Sequence, residues 1–379
     1  MSAGPHQGFG VYIHWPFCAR ICPYCDFNVY RDRGVDAARW ARALETELRY
    51  WAEKTSGRRL KSLYFGGGTP SLAPLAVIET IIGACDRLWG FESGAEITLE
   101  ANPTDAEIGR FRAFAGAGVN RLSLGVQSFD DAALKFLGRD HDAATAMRAV
   151  DTALAVFPRA TADFIYARPN QTVETWSAEL NRAIATGLKH LSLYQLTIEP
   201  GTAFDRAASK KRWTPADEDV AADLFEATQE LTAAAGLPAY EISNHAAPGE
   251  ASRHNLIYWR QGDYVGIGPG AHGRVTIDGV RHATETVLRP RDYLDRVEGR
   301  GCGASVDDPL SDDEILVERL AMGLRTLEGV LLSPAERRRL QSPIGDLQDR
   351  GLLILDDARL VATIDGRRIL NAVLAELAP

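Results

Sequence analysis

The chain alternates short apolar runs with segments of helical period, and that alternation narrows the folds open to it more than any other feature. Strands are expected at residues 11–15, 62–65, 96–100, 121–126, 162–166 and 190–196. Helices are expected between them at 36–54, 75–88, 105–117, 142–156 and 173–186. Two parallel strands need a long crossover, usually a helix, so repeated strand–helix units imply a parallel sheet covered by helices. About six such units make an α/β fold, an open or partial (β/α)6 barrel of TIM type rather than a closed eightfold one. In such barrels the site lies at the C-terminal strand ends. Polar residues gather there: Gly66-Gly67-Gly68-Thr69-Pro70 after one strand, Glu100 closing another ahead of Ala101-Asn102-Pro103, Gln127-Ser128 after a third, and Asp163 within a fourth.

Beyond the repeats, a long helix is expected at 214–235. Gly, Ser, Asp and Pro crowd residues 299–308, which suggests a boundary between a core at 1–300 and a C-terminal module at 305–379. In that module an amphipathic helix (311–324), two short strands within 351–364 and a last helix (369–377) outline a helical, winged-helix-like unit. A formal charge of −9 disfavours general nucleic-acid binding, and the run Arg337-Arg338-Arg339 reads as a solvated helix face. No window approaches the ~18 apolar residues of a membrane span, and Met1–Gly10 lacks a basic start before an apolar core. A cytoplasmic protein without an integral membrane segment is expected.

There are five cysteines, and three of them fall in Cys18-Ala19-Arg20-Ile21-Cys22-Pro23-Tyr24-Cys25. An odd count with a tight cluster favours metal binding over disulfides. Three thiolates on one short loop can ligate three irons of a cubane cluster and leave the fourth iron without a protein ligand. The alternative is zinc, which normally takes four Cys or His ligands and would draw on His14. Cys85 reads as a small core residue on an apolar helix face, and Cys302, in Gly301-Cys302-Gly303, as an incidental surface thiol.

The stretch Tyr12-Ile13-His14-Trp15-Pro16-Phe17-Cys18, followed by Cys22-Pro23-Tyr24-Cys25-Asp26-Phe27, resembles the HemN/HemW branch of the radical SAM superfamily. The resemblance extends over nearly the whole chain, C-terminal HemN-like module included. It implies a radical SAM barrel with a [4Fe–4S] cluster on Cys18, Cys22 and Cys25, and S-adenosylmethionine (SAM) on the open iron. It also implies roles for matching residues. Tyr12 packs near SAM, and Tyr24 is the aromatic of the cysteine loop. Gly67, Gly68 and Thr69 present backbone to the methionine part, where missing Cβ atoms allow close approach. Glu100 contacts the methionine end. Gln127, Arg139 and Asp163 are polar ligands of SAM or substrate. One departure is Ala167-Arg168-Pro169-Asn170, where the family has Gly-Leu-Pro-Gly; it brings a charge toward the expected cavity.

Two activities compete within this branch, and only one is enzymatic. The oxygen-independent coproporphyrinogen III oxidase of porphyrin biosynthesis typically has a fourth cysteine two residues after the third and a longer N-terminal extension. Here Phe27 stands at that position and seventeen residues precede Cys18. The heme chaperone type carries an H-N-x-x-Y-W signature, matched by His254-Asn255-Leu256-Ile257-Tyr258-Trp259. The chaperone reading is therefore preferred: heme or a porphyrin as ligand with His254 on the iron, His245 as substitute, a heme-accepting protein and an electron donor as partners. A third reading is a non-catalytic iron–sulfur binding protein. Gly266-Ile267-Gly268-Pro269-Gly270 reads as a tight loop against the cofactor cavity.

Overall fold

A computed structural model describes residues 8–32 and 34–378. Residues 1–7, on which the absence of a signal partly rests, lie outside the described residues. Six parallel strands follow one another in chain order: β1 (Phe9–Trp15), β2 (Leu60–Gly67), β3 (Phe91–Ala101), β4 (Arg121–Gln127), β5 (Arg159–Tyr166) and β6 (His190–Gln195). Crossover helices α1 (Ala37–Lys54), α2 (Leu75–Leu88), α5 (Ala143–Val156) and α6 (Val173–Ala185) lie where expected. The helix expected at 105–117 is instead two, α3 (Asp105–Ile108) and α4 (Phe111–Gly116). Gly109, a poor helix former, sits at the break. Beside it Arg110 turns to donate to the Ala73 carbonyl at 2.7 Å.

Each strand alternates polar and apolar with period two, because one face lines the barrel and the other meets the helices. Register puts Gly10 beside Ser62, Ser62 beside Glu96, Thr98 beside Arg121 and Arg121 beside Arg159. The intervening Val11, Leu63, Leu99, Leu122 and Ala162 are buried in the core under the helices. The barrel interior is thus layered. Ser62, Glu96, Arg121, Arg159 and His190 form a polar floor near the strand starts, and Glu100, Ser123, Asp163 and Ser192 form a rim near their ends.

The sheet continues past both edges of the barrel. β7 (Asn244–Ala246) runs antiparallel to β6; β8 (Asp263–Ile267) pairs parallel with β1, and β9 (His272–Ile277), β10 (Val280–Thr286) and β11 (Ala304–Pro309) extend that side antiparallel. The Gly- and Asp-rich segment that suggested a boundary therefore contains an edge strand, and the chain leaves the main sheet at Pro309. α7 (Glu218–Ala234) and α8 (Arg253–Trp259) precede β8.

The C-terminal module has its own core, which includes Leu316, Leu320, Leu347, Leu353, Leu360 and Val373. It comprises α9 (Asp312–Gly323), two short helices over Pro334–Arg339 and Gln341–Asp349, a three-stranded antiparallel sheet of β12 (Val330–Leu331), β14 (Arg359–Ala362) and β13 (Leu353–Asp356), and the helices α10 (Ile364–Arg368) and α11 (Leu370–Leu377). Ser311 and Glu314 cap α9 reciprocally, a capping box that stops the preceding strand and starts the module. No helix among the described residues is long and apolar enough to cross a membrane.

Candidate functional site

The cysteine loop is shaped by backbone bonds and by the chain that returns beneath it. Gly68 donates to the Trp15 carbonyl at 2.7 Å and Thr69 to Phe17 at 2.9 Å. A Cβ on Gly68 would stand 2.8 Å from the Phe17 carbonyl oxygen, and one on Gly67, whose φ is +107°, 2.7 Å from the His14 ring. The glycines thus let the end of β2 pack beneath the cysteine loop, a reason separate from ligand approach. Behind the loop, Asn28 donates to Pro269 at 2.9 Å and Leu288 at 2.8 Å, and Gly270 packs on its side chain. The 266–270 loop therefore braces the cysteine loop from outside and does not line the cavity, contrary to expectation.

One cavity of about 1140 Å³ opens at the strand ends. It is lined by Cys18, Cys22, Tyr24, Cys25, Gly67, Gly68, Thr69, Glu100, Gln127, Arg139 and Asp163. Eleven residues taken from separate sequence motifs thus share one wall. Glu100 accepts from the Tyr64 hydroxyl at 2.8 Å and the Gly67 amide at 3.2 Å. Burial pushes its carboxyl up to about 7, more than those hydrogen bonds offset. Asp163 is raised too, by burial, with Ser192 and Ser123 opposing. Gln127 ends β4 with φ of 67°, a left-handed conformation that turns the chain at the rim.

Arg139 donates to the Cys22 sulfur at 3.2 Å and to the Gly125 carbonyl at 2.9 Å, and also reaches Asn102. It thus contacts a cysteine of the C-x3-C-x2-C loop directly, which its match to a SAM ligand did not foretell. Burial raises the Cys18 thiol and pushes that of Cys25 up to about 11. Both are therefore neutral near pH 7 until metal displaces their protons. Among the described residues no three Cys, His, Asp or Glu side chains converge on a single ion. Zinc gains nothing from His14, whose Nε2 faces the Asn28 carbonyl at 3.0 Å and Nδ1 the Tyr12 hydroxyl at 3.1 Å. Three thiols around one cavity, with no fourth protein donor, suit a cubane that must be straddled.

The comparisons with known proteins agree. Residues 12–183 match the radical SAM superfamily model and residues 310–369 the HemN C-terminal domain. The bovine mitochondrial radical S-adenosyl methionine domain-containing protein 1 is 38% identical, covering 98% of this chain and 87% of its own length. Heme chaperone HemW of Escherichia coli (strain K12) is 42% identical over 75% of each chain. The chain belongs to the HemW-type branch of the radical SAM superfamily. Membership implies SAM and a [4Fe–4S] cluster. The solved structure of E. coli coproporphyrinogen III oxidase (HemN), a radical SAM enzyme, matches with a TM-score of 0.82 over 99% of this chain and 91% of that one. At 21% identity it shows the shared fold alone.

The HemW-type signature sits elsewhere than expected. His254 is buried inside the barrel, not on the cavity wall. Its Nδ1 meets Ser62 Oγ at 2.7 Å and its Nε2 the Tyr258 hydroxyl at 2.6 Å, so both ring nitrogens are engaged. The α8 amide of His254 donates to Glu96 at 3.1 Å. Burial opposes ionisation of Glu96, but Arg121 and Arg159 hold its carboxyl below the ordinary range. Burial lowers His254 itself to about 3. As packed, this is a neutral histidine of the barrel floor, and heme ligation would require α8 to leave it. His245, also buried, lies beside Gln229 at 3.2 Å and is likewise off the cavity wall. The signature does reach the cavity indirectly: Arg325, which lines it, stacks over Trp259 at 4.9 Å.

Tyr12 stacks 6.2 Å from Tyr64, whose hydroxyl donates to Glu100 on the cavity wall. Two further expectations are corrected. Arg168 is buried and pairs with Glu179 and Ser128, so its charge stays out of the cavity. Ala167 and Asn170 nevertheless keep the left-handed conformation that glycines would adopt, with φ of 55° and 60°. Cys302 is buried, not on the surface, with its sulfur 3.6 Å from Glu47. Glu47 also accepts from Tyr293 at 2.5 Å and Gly303 at 2.7 Å, tying α1 to the β10–β11 side. Cys85 is a core residue as expected. The cavity residues that sequence reasoning missed, Arg325, Arg367 and Asn371, belong to the C-terminal half and carry no motif.

Proposed function

We propose that the chain binds heme in the cavity, with cluster and SAM at its barrel end, and passes the heme to an acceptor protein. The observation that carries this is the cavity's extent. It runs from the three cysteines to Leu352, Ile369 and Leu370 of the C-terminal module, and its volume exceeds the ~300–1,000 Å³ of ordinary small-molecule sites. The barrel end is polar and fits SAM. The far end adds Phe225, Ile242, Leu352 and Leu370, an apolar surface suited to a porphyrin face.

At the barrel end Cys18, Cys22 and Cys25 hold the cluster, and Arg139 steadies the Cys22 sulfur. The backbone at Gly67 and Gly68 meets the SAM methionine part. Glu100, once its proton is lost to solvent, would accept from the amino group of SAM, and Gln127 and Asp163 would complete the wall. When bound, cluster and SAM supply one-electron chemistry at a sulfonium centre. The residues described here bind, orient and exclude water.

The test is anaerobic titration of cluster-loaded protein with hemin and, separately, coproporphyrinogen III with SAM and reductant. Stoichiometric hemin uptake, hemin transfer to an apo-acceptor and no coproporphyrinogen turnover are expected. Turnover would overturn the chaperone reading in favour of the oxidase.

A further inference from the structure

The C-terminal module contributes three arginines to the cavity wall, Arg325, Arg367 and Arg368. Two are already neutralised. Arg325 pairs with the fully buried Glu241 at 3.1 Å. Arg368 pairs with Glu226 at 2.5 Å and Asp365 at 3.4 Å. The Arg367 side chain makes no hydrogen bond or ion pair among the described residues, and its Nε is buried without an acceptor. The acids on the same wall do not serve it: Asp365 goes to Arg368, and neither Glu199 nor Glu218 reaches it. Burial alone lowers its pKa, with no neighbouring carboxylate to oppose the shift.

A partly buried guanidinium without a counter-ion is costly to keep, and its planar fork matches a carboxylate through two parallel hydrogen bonds. Arg39, on the surface, is paired with Asp295 and Glu298; Arg367 lines the cavity without such a partner. Leu352 and Leu370 flank it on the same wall, so a carboxylate on Arg367 would be attached to an apolar body.

We infer that Arg367 is a carboxylate-binding residue of the cavity, holding a propionate-type side chain of the tetrapyrrole at the end remote from the cysteines. This rests on the proposed heme binding and deepens it by assigning an orientation: one acidic edge toward the C-terminal module, the opposite edge toward the barrel mouth. The free acid is the ligand selected, and an esterified porphyrin is discriminated against.

The experiment compares hemin with hemin dimethyl ester, whose two carboxylates are masked, on cluster- and SAM-loaded full-length protein. Wild type is expected to bind the free acid about ten- to hundredfold tighter, the range of a charge-assisted hydrogen bond. Arg367→Ala should lose that preference while binding the ester as wild type does, and Arg367→Lys should restore part of it. An Arg367→Ala protein that keeps the full preference would overturn the assignment. So would one that weakens both ligands equally, since that marks a structural role. Equal binding of acid and ester by wild type overturns the carboxylate assignment and leaves heme binding standing. Binding of neither overturns the heme reading and this assignment together.

Discussion

Glu100→Gln separates the acid at the cavity wall from the rest of the SAM site. Burial sets the Glu100 carboxyl at about 7, against 4.5 for an ordinary glutamate. A ligand amine needs the charged form, so below pH 7 binding SAM must first remove a proton. Each pH unit below 7 then costs about tenfold in apparent affinity. Between pH 8.5 and pH 5.5 the wild type should weaken by about thirtyfold from this group alone. Glutamine keeps one acceptor oxygen, which can serve the Gly67 amide while its NH2 donates to the Tyr64 hydroxyl, and it has no charge and no proton to lose. At pH 8.5 the variant should bind SAM about ten- to hundredfold more weakly, the difference between a charge-assisted and a neutral bond. Toward pH 5.5 the two proteins should converge. The assay is isothermal titration of cluster-loaded protein with SAM, without oxygen, across that range. Taking the ratio of the two affinities cancels the pH dependence of SAM and the cluster. A ratio unchanged from pH 5.5 to 8.5 would refute both the raised carboxyl and its contact with the amine.

Other expectations follow from the same geometry. Arg139→Met removes a cation from the Cys22 sulfur; it should make the cluster harder to reduce, read as a more negative midpoint in an EPR-monitored redox titration. His254→Ala strips Ser62 and Tyr258 of their partner inside the barrel and should destabilise the fold by about 2–4 kcal/mol. Thermal melting checks that loss, and hemin uptake per folded molecule should stay as in wild type. Glu179→Gln leaves Arg168 buried without a counter-charge and should cost about 3–5 kcal/mol, seen as a lowered melting temperature. Ala167→Gly relieves a left-handed alanine and should raise the melting temperature by the equivalent of about 1 kcal/mol.

Much of the molecule was legible from sequence, for local physical reasons. The βα alternation follows from apolar runs and helical period, and both are written along the chain. The cysteine spacing declares a three-thiol loop because its ligands lie within one turn of chain. Polar residues closing strands marked the rim, and Glu100 and Asp163 are there. What failed did so where a role depends on neighbours far away in sequence. His254 looks like a ligand by its motif, but Ser62 and Tyr258 claim both its nitrogens, and nothing near residue 254 announces Ser62. Arg168 looked like a cavity charge until Glu179, on the helix after it, took it inward. Cys302 sits in a glycine-flanked stretch typical of a surface loop, and only packing against Glu47 buries it.

The sequence by itself determined the repeat architecture, the three thiols and the strand-end acids, because those are short-range patterns of spacing and polarity. Only the tertiary structure decided which polar side chains face the cavity and which serve the barrel floor. It alone brought Arg367 of the C-terminal module to the same cavity as Cys18, since that juxtaposition depends on how the module closes over the barrel mouth and on no pattern in either segment.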